Sequence, residues 1–164
     1  MNKFEGNIAH TNQKDGLVIW PSYDPRGTEA PCTASGNNPV VAEFRDFMGY
    51  NNRNNGAMAF EVGAVQFIDF KMANNLLANM EYSYLVSGLG DDVAKIVGGW
   101  SLGKSPQWES AWLDDAAPHG VVFARSENFR VVDTKFCYYE WELDNGGHDI
   151  GAACLGPCSN CNDA

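Results

Sequence analysis

Basic residues are scarce in this chain of 164: 11 Lys and Arg stand against 21 Asp and Glu, giving a net charge of −10 and a pI near 4.5. Such a field repels phosphate, which argues against nucleic acid and anionic membrane surfaces as partners. It leaves solubility, calcium or a basic partner as the uses of the acidity. Long apolar runs are also absent. No stretch approaches the roughly 18–20 residues of a spanning helix, so no membrane insertion is expected of this segment.

Helical periodicity is nearly missing. Apolar residues rarely recur at i, i+3, i+4 and i+7, and the best helical fragment, Leu76 to Met80, is short. Histidine occurs only at His10, His119 and His148, widely separated, whereas a general acid or base needs a partner within hydrogen-bond reach. A His-Glu-x-x-His motif does not occur, and no catalytic residue is assigned.

What the chain does have is an echo. Phe44-Arg-Asp-Phe-Met-Gly-Tyr-Asn-Asn52 and Phe67-Ile-Asp-Phe-Lys-Met-Ala-Asn-Asn75 agree at Phe44/Phe67, Asp46/Asp69, Phe47/Phe70, Asn51/Asn74 and Asn52/Asn75, always 23 residues apart. A gapless repeat of that length, rich in strand formers and ending in Asn-Asn, marks one coil of a solenoid laid on the next. Phe67, Asp69, Lys71 and Met72 also align with Val131, Asp133, Lys135 and Phe136, an offset of 64 that suggests about three coils. The expected fold is therefore an all-β, right-handed parallel β-helix with coils of about 20–26 residues and two or three long loops. An antiparallel sandwich and a two-repeat duplication of another topology are the alternatives.

Inside such a coil, equivalent residues stack about 4.8 Å apart. Phe44 is then expected over Phe67 and Phe47 over Phe70, while Asn51/Asn74 and Asn52/Asn75 turn a corner with their amides laddered. Strands are expected near 4–9, 16–20, 40–47, 57–61, 64–72, 80–86, 93–97, 120–124, 128–137 and 150–154. Between them lie irregular stretches at 21–39, 100–118 and 142–150, the last with an Asp144-Asn-Gly-Gly147 turn signal.

Candidate sites fall mostly outside the repeat. Cys154-x3-Cys158-x2-Cys161, with His148, has the look of a zinc half-site. Disulfides among Cys32, Cys137, Cys154, Cys158 and Cys161 are the competing reading. Their connectivity is open, and an odd count leaves room for a partner elsewhere. Asp91-Asp92 and Asp114-Asp115 are paired carboxylates, but adjacent side chains on a strand point to opposite faces. Each pair offers calcium one ligand direction of the six to eight it needs, so calcium is a candidate at either pair and no cofactor is assigned. Aromatics are numerous: Trp20, Trp100, Trp108, Trp112 and Trp141, with Tyr23, Tyr82, Tyr84, Tyr138 and Tyr139. Where exposed they suit stacking on sugars or a protein interface, and otherwise they fill the core. Trp108 and Trp112, in a polar stretch beside Asp114 and Asp115, are the leading binding candidates.

The order of these segments resembles the fibrocystin-like proteins. Ala9-His10-Thr11 leads into Gly16-Leu17-Val18-Ile19-Trp20-Pro21 and a proline-bounded loop. Two coil-like stretches follow, Tyr50-Asn51-Asn52-Arg53 with Gly56-Ala57, and Gly63-Ala64-Val65-Gln66-Phe67 with Phe70. A cysteine-rich tail runs from Phe129 to Cys161. The resemblance implies a parallel β-helix region of a large extracellular protein on a cell or ciliary surface, related to the cell-surface hyaluronidases. It favours disulfides over zinc. It also implies that residues 1–164 are one segment of a larger ectodomain, with flanking coils, other protein chains or glycans as partners. The expected role is a structural and interaction rod, and the alternative is a hyaluronidase- or lyase-like enzyme.

Overall fold

The computed structural model describes residues 4–25, 40–86, 93–103, 119–123 and 129–139, and the backbone of 142–143 and 149–150. Fourteen short strands recur in threes. The first coil holds β1 (Phe4–Glu5), β2 (Ile8–His10) and β3 (Leu17–Ile19). The second holds β4 (Ala42–Arg45), β5 (Met48–Tyr50) and β6 (Ala57–Val62). The third holds β7 (Val65–Ile68), β8 (Lys71–Ala73) and β9 (Ala78–Leu85), and the fourth β10 (Ala94–Val97), β11 (Trp100–Leu102) and β12 (His119–Val122). A fifth coil contributes β13 (Phe129–Val132) and β14 (Lys135–Cys137).

Corresponding strands pair in parallel, giving three sheets ordered β1-β4-β7-β10-β13, β2-β5-β8-β11-β14 and β3-β6-β9-β12. The described residues contain no helix. A last pair, β15 (Glu142–Leu143) and β16 (Asp149–Ile150), is antiparallel and brackets the Asp-Asn-Gly-Gly turn signal.

Register explains the echo and corrects its extension. Phe44 pairs with Phe67, so the second coil has 23 residues. The column Phe4, Phe44, Phe67, Ile96, Val131 makes the other steps 40, 29 and 35. The offset of 64 therefore spans two coils, not three. Its surplus sits at defined corners. Residues four apart always link the first strand to the second, as in Phe44 to Met48. From second to third strand the step is seven in coils one to three but 19 from Leu102 to Val121. From the third strand to the next coil it is ten at its tightest and 27 from Leu17 to Phe44. Loops thus enlarge two of the three corners and leave the 23-residue frame intact.

Several expected strands prove to be two. The runs at 4–9, 40–47, 64–72 and 128–137 each break at a residue in the left-handed region: Gly6 (φ 68°), Asp46 (49°), Asp69 (55°) and Asp133 (54°), with Gly98 (67°) in the fourth coil. Asp and Gly tolerate this conformation, and one such residue turns the chain onto the next sheet. A second left-handed column closes the second strand at Thr11, Asn51, Asn74 and Tyr138, which includes the expected Asn corner. The stretch read as irregular from residue 100 opens with β11, and Leu76 to Met80 leads into β9 rather than a helix.

The interior is narrow and filled. Phe67 and Phe70 stack at 4.6 Å, Phe47 lies 5.3 Å from Phe70, and Tyr82 lies 5.0 Å from Phe67 and 4.3 Å from Phe129. Met72, Met80 and Ile96 are wholly buried beside them. An amide ladder runs along the second corner. Asn12 Nδ2 donates to Asn52 Oδ1 (2.8 Å), Asn52 Nδ2 to Asn75 Oδ1 (2.9 Å) and Asn75 Nδ2 to Asn79 Oδ1 (2.7 Å). Asn79 Nδ2 then donates to Ser101 Oγ (2.9 Å) and to the Tyr139 hydroxyl (2.5 Å).

Candidate binding face

The outer surface of the third sheet carries what the interior does not use. In β6 the alternation is inverted in size: Ala57 and Ala59 point inward and are fully buried, while Met58 and Phe60 are only half-buried. β3 behaves alike, with Ile19 inside and Val18 and the following Trp20 outside. Alanine suits the inner side because Phe67, Phe70, Met72 and Tyr82 already fill the coil, so a larger side chain would overpack it.

The outward rings form a row across three coils. Trp20 lies 4.2 Å from Phe60, and Phe60 lies 5.5 Å from Tyr84. Trp20 is 61% exposed and Tyr84 46%, so their faces are open to a partner. Carboxylates flank the row. Glu61 is exposed and registers with Tyr84 across β6 and β9. Glu81 is held in place, accepting from Asn55 Nδ2 (3.0 Å) and from Ser83 Oγ (2.6 Å).

Charge is divided among the sheets. Arg45, Lys95 and Arg130 lie in strands of the first sheet, and Lys71 and Lys135 in the second. The four strands of the third sheet contain neither Lys nor Arg. Lys71 on the second sheet is itself engaged, its Nζ 2.7 Å from Asp46 Oδ1.

The candidates from sequence distribute unevenly. Trp108, Trp112, Asp114 and Asp115 lie outside the described residues, as do Asp91, Asp92, Trp141, His148, Cys32, Cys154, Cys158 and Cys161. Cys137 is described. It ends β14, is only 7% exposed and is disulfide-bonded. Tyr82 is buried in the core and Tyr139 is half-buried, whereas Trp20, Tyr84, Tyr23 and Tyr138 are exposed. His10 stacks on Tyr50 at 4.8 Å in the first two coils, and His119 begins β12 in the fourth, so the two are not brought together.

Among the described residues no group of three His, Cys, Asp or Glu side chains is placed to hold a metal. Strong pKa displacement falls on Tyr82 and Tyr139, both pushed well above the usual tyrosine range by burial; bonds to Ser101 and Asn79 oppose the effect at Tyr139. These are structural hydroxyls. Tyr82 donates to the Val65 carbonyl (3.2 Å), and Tyr139 ends the amide ladder.

Sequence reasoning did not single out Phe60 and Glu61. The signal was available in Ala57-Met58-Ala59-Phe60, where alternation between alanine and a large apolar residue leaves open which set faces inward. Comparison with protein-family models, with curated proteins and with solved structures found no match.

Proposed function

We propose that this chain is a right-handed parallel β-helix segment acting as a stiff, non-catalytic rod in an extracellular surface protein of the fibrocystin-like kind, with its outer faces serving contacts to other chains or glycans. Right-handedness follows from the strong preference for right-handed crossovers between parallel strands. The observation that carries the functional reading is the division of the side chains. The recurrent residues Phe44, Phe67, Phe47, Phe70, Asn52 and Asn75 are engaged in packing or hydrogen bonds from coil to coil, and the aromatic row lies outside them.

Four axial steps of about 4.8 Å give a rod segment roughly 19 Å long. Sheets hydrogen-bonded continuously in that direction resist bending, which suits a spacer. The disulfide at Cys137 supports an oxidising compartment, because such bonds are rare in reducing cytosol. The order of segments that resembles fibrocystin-like proteins supports a cell-surface or ciliary setting.

The test is a panel of polysaccharides, including hyaluronan and pectins, incubated with the full chain at several pH values with and without calcium. The rod reading expects no product above the buffer control. Turnover abolished by one Asp, Glu or His substitution would replace it with the enzyme reading.

A further inference from the structure

We infer that the outer face of the third sheet is a docking site for a cationic peptide segment, in which arginine or lysine side chains lie over Trp20 and Tyr84 and pair with Glu61. The inference names a partner for one face of the proposed rod and rests on that reading only to that extent.

Three observations converge. First, Trp20 and Tyr84 expose their rings in one row bridged by Phe60. An aromatic face attracts a cation through its quadrupole, most strongly for Trp. Second, Glu61 is exposed at the register position of Tyr84, and no ion pair or hydrogen bond engages its carboxylate among the described residues. A guanidinium over either neighbouring ring can therefore meet a carboxylate, and paired recognition of this kind favours arginine.

Third, the strands of this sheet carry Glu61 and Glu81 and neither Lys nor Arg, with His119 in β12 two coils away from Glu61, within a chain of net charge −10. That field draws cations toward the face and repels acidic partners. A second copy brings the same −10. An anionic glycan meets the same repulsion, and a neutral glycan gains nothing from the charge. Glu81, fixed by Asn55 and Ser83, adds a held acceptor on the same strand as Tyr84. The apolar neighbours Val18 and Met58 give the peptide's aliphatic stems a surface to cover.

The probe is an (Arg-Gly)3 peptide titrated into the full, nitrogen-15-labelled chain, following the tryptophan indole signals, with Trp20 assigned through Trp20→Phe. Cellohexaose and a hyaluronan hexasaccharide are titrated in parallel. The peptide is expected to move the Trp20 signal. Glu61→Gln should weaken binding about five-fold and Trp20→Ala about ten-fold, while Glu5→Gln, which removes an exposed carboxylate from the first sheet, should change it less than two-fold.

The inference is overturned if Glu5→Gln weakens binding as much as Glu61→Gln, because attraction to net charge alone would then suffice. It is overturned equally if the Trp20 signal does not move with the peptide, or if either oligosaccharide binds there as tightly. Should Trp20→Ala not fold, Tyr84→Ala and Glu61→Gln carry the same comparison. Loss of peptide binding leaves the rod reading standing, whereas polysaccharide turnover removes the rod reading without altering these titrations.

Discussion

Asn75 is wholly buried, and each of its amide atoms is engaged. Its Oδ1 accepts from the Asn52 backbone N–H (3.1 Å) and from Asn52 Nδ2 (2.9 Å), while Nδ2 donates to the Gly49 carbonyl (3.0 Å) and to Asn79 Oδ1. Truncation leaves several buried polar groups without partners. Asn75→Ala is therefore expected to cost about 3 kcal/mol in urea unfolding, against less than about 1 kcal/mol for Asn12→Ala at the exposed end of the ladder. Equal losses would deny the ladder its buried, cooperative role. Thr11 occupies the left-handed column (φ 57°) that Asn51 and Asn74 fill in the next two coils. A β-branched residue is strained there, so Thr11→Asn should stabilise by about 1 kcal/mol, read as a higher urea midpoint. Tyr82 and Tyr139 set the alkaline limit. Unfolded tyrosine ionises near 10, and burial holds both hydroxyls protonated well above that value. Their contribution is fully present below about pH 10 and is lost as pH rises beyond it. Urea midpoints should fall from about pH 10 upward, less steeply for Tyr82→Phe with Tyr139→Phe. The Asn52–Asn75 rung was legible because both members recur at a fixed offset. Asn79, Ser101 and Tyr139 were not, because each joins the ladder from a position where other coils carry a different residue.

At the scale of elements, corners matter as much as strands. Gly56 begins the third side of the second coil, and a Cβ there would lie 2.6 Å from Asn75 Nδ2 and 2.7 Å from the Asn79 carbonyl oxygen. Gly56→Ala should cost about 2 kcal/mol, because one of those atoms is backbone and the other is fixed in the ladder. Gly6→Ala meets nothing within 4 Å but keeps a φ of 68°, so its cost should be the conformational term of about 1 kcal/mol. Thermal unfolding of the two variants separates crowding from backbone strain. The same corners explain which elements the sequence disclosed. Phe44 lies 5.8 Å from Phe67 and Phe47 5.3 Å from Phe70, edge-on and tilted rather than face to face, and the Asp between them was not read as a turn. One left-handed residue leaves the apolar pattern almost continuous on either side, so two strands look like one. β11 was hidden for another reason: at three residues it is too short to show alternation. The binding row was hidden because inside and outside in β3 and β6 are both apolar, and only the crowding of the coil decides between them.

For the molecule as a whole, the direction of stacking has a consequence at its ends. β1, β2 and β3 have paired neighbours on one side only, and on the other side their backbone donors and acceptors have no strand partner among the described residues. Open edges invite a further strand, from a flanking coil or another copy. Sedimentation velocity should show association that rises with concentration, and Ile8→Lys on exposed β2 should suppress it. A wild-type chain that stays monomeric across that range would argue for a protected end. Both the rod and the cationic docking face depend on the coils lying in parallel at the stated register. Four equivalent hydrogen bonds report it: Met48 N–H to the Asn7 carbonyl (2.9 Å), Lys71 to Phe47 (2.9 Å), Trp100 to Phe70 (2.9 Å) and Lys135 to Gly99 (3.1 Å). Scalar couplings across hydrogen bonds, measured by nuclear magnetic resonance on the full chain, detect each pair directly. The stacked-coil account expects all four amides to couple to these carbonyls; coupling to carbonyls of antiparallel partners, or at another register, would contradict it.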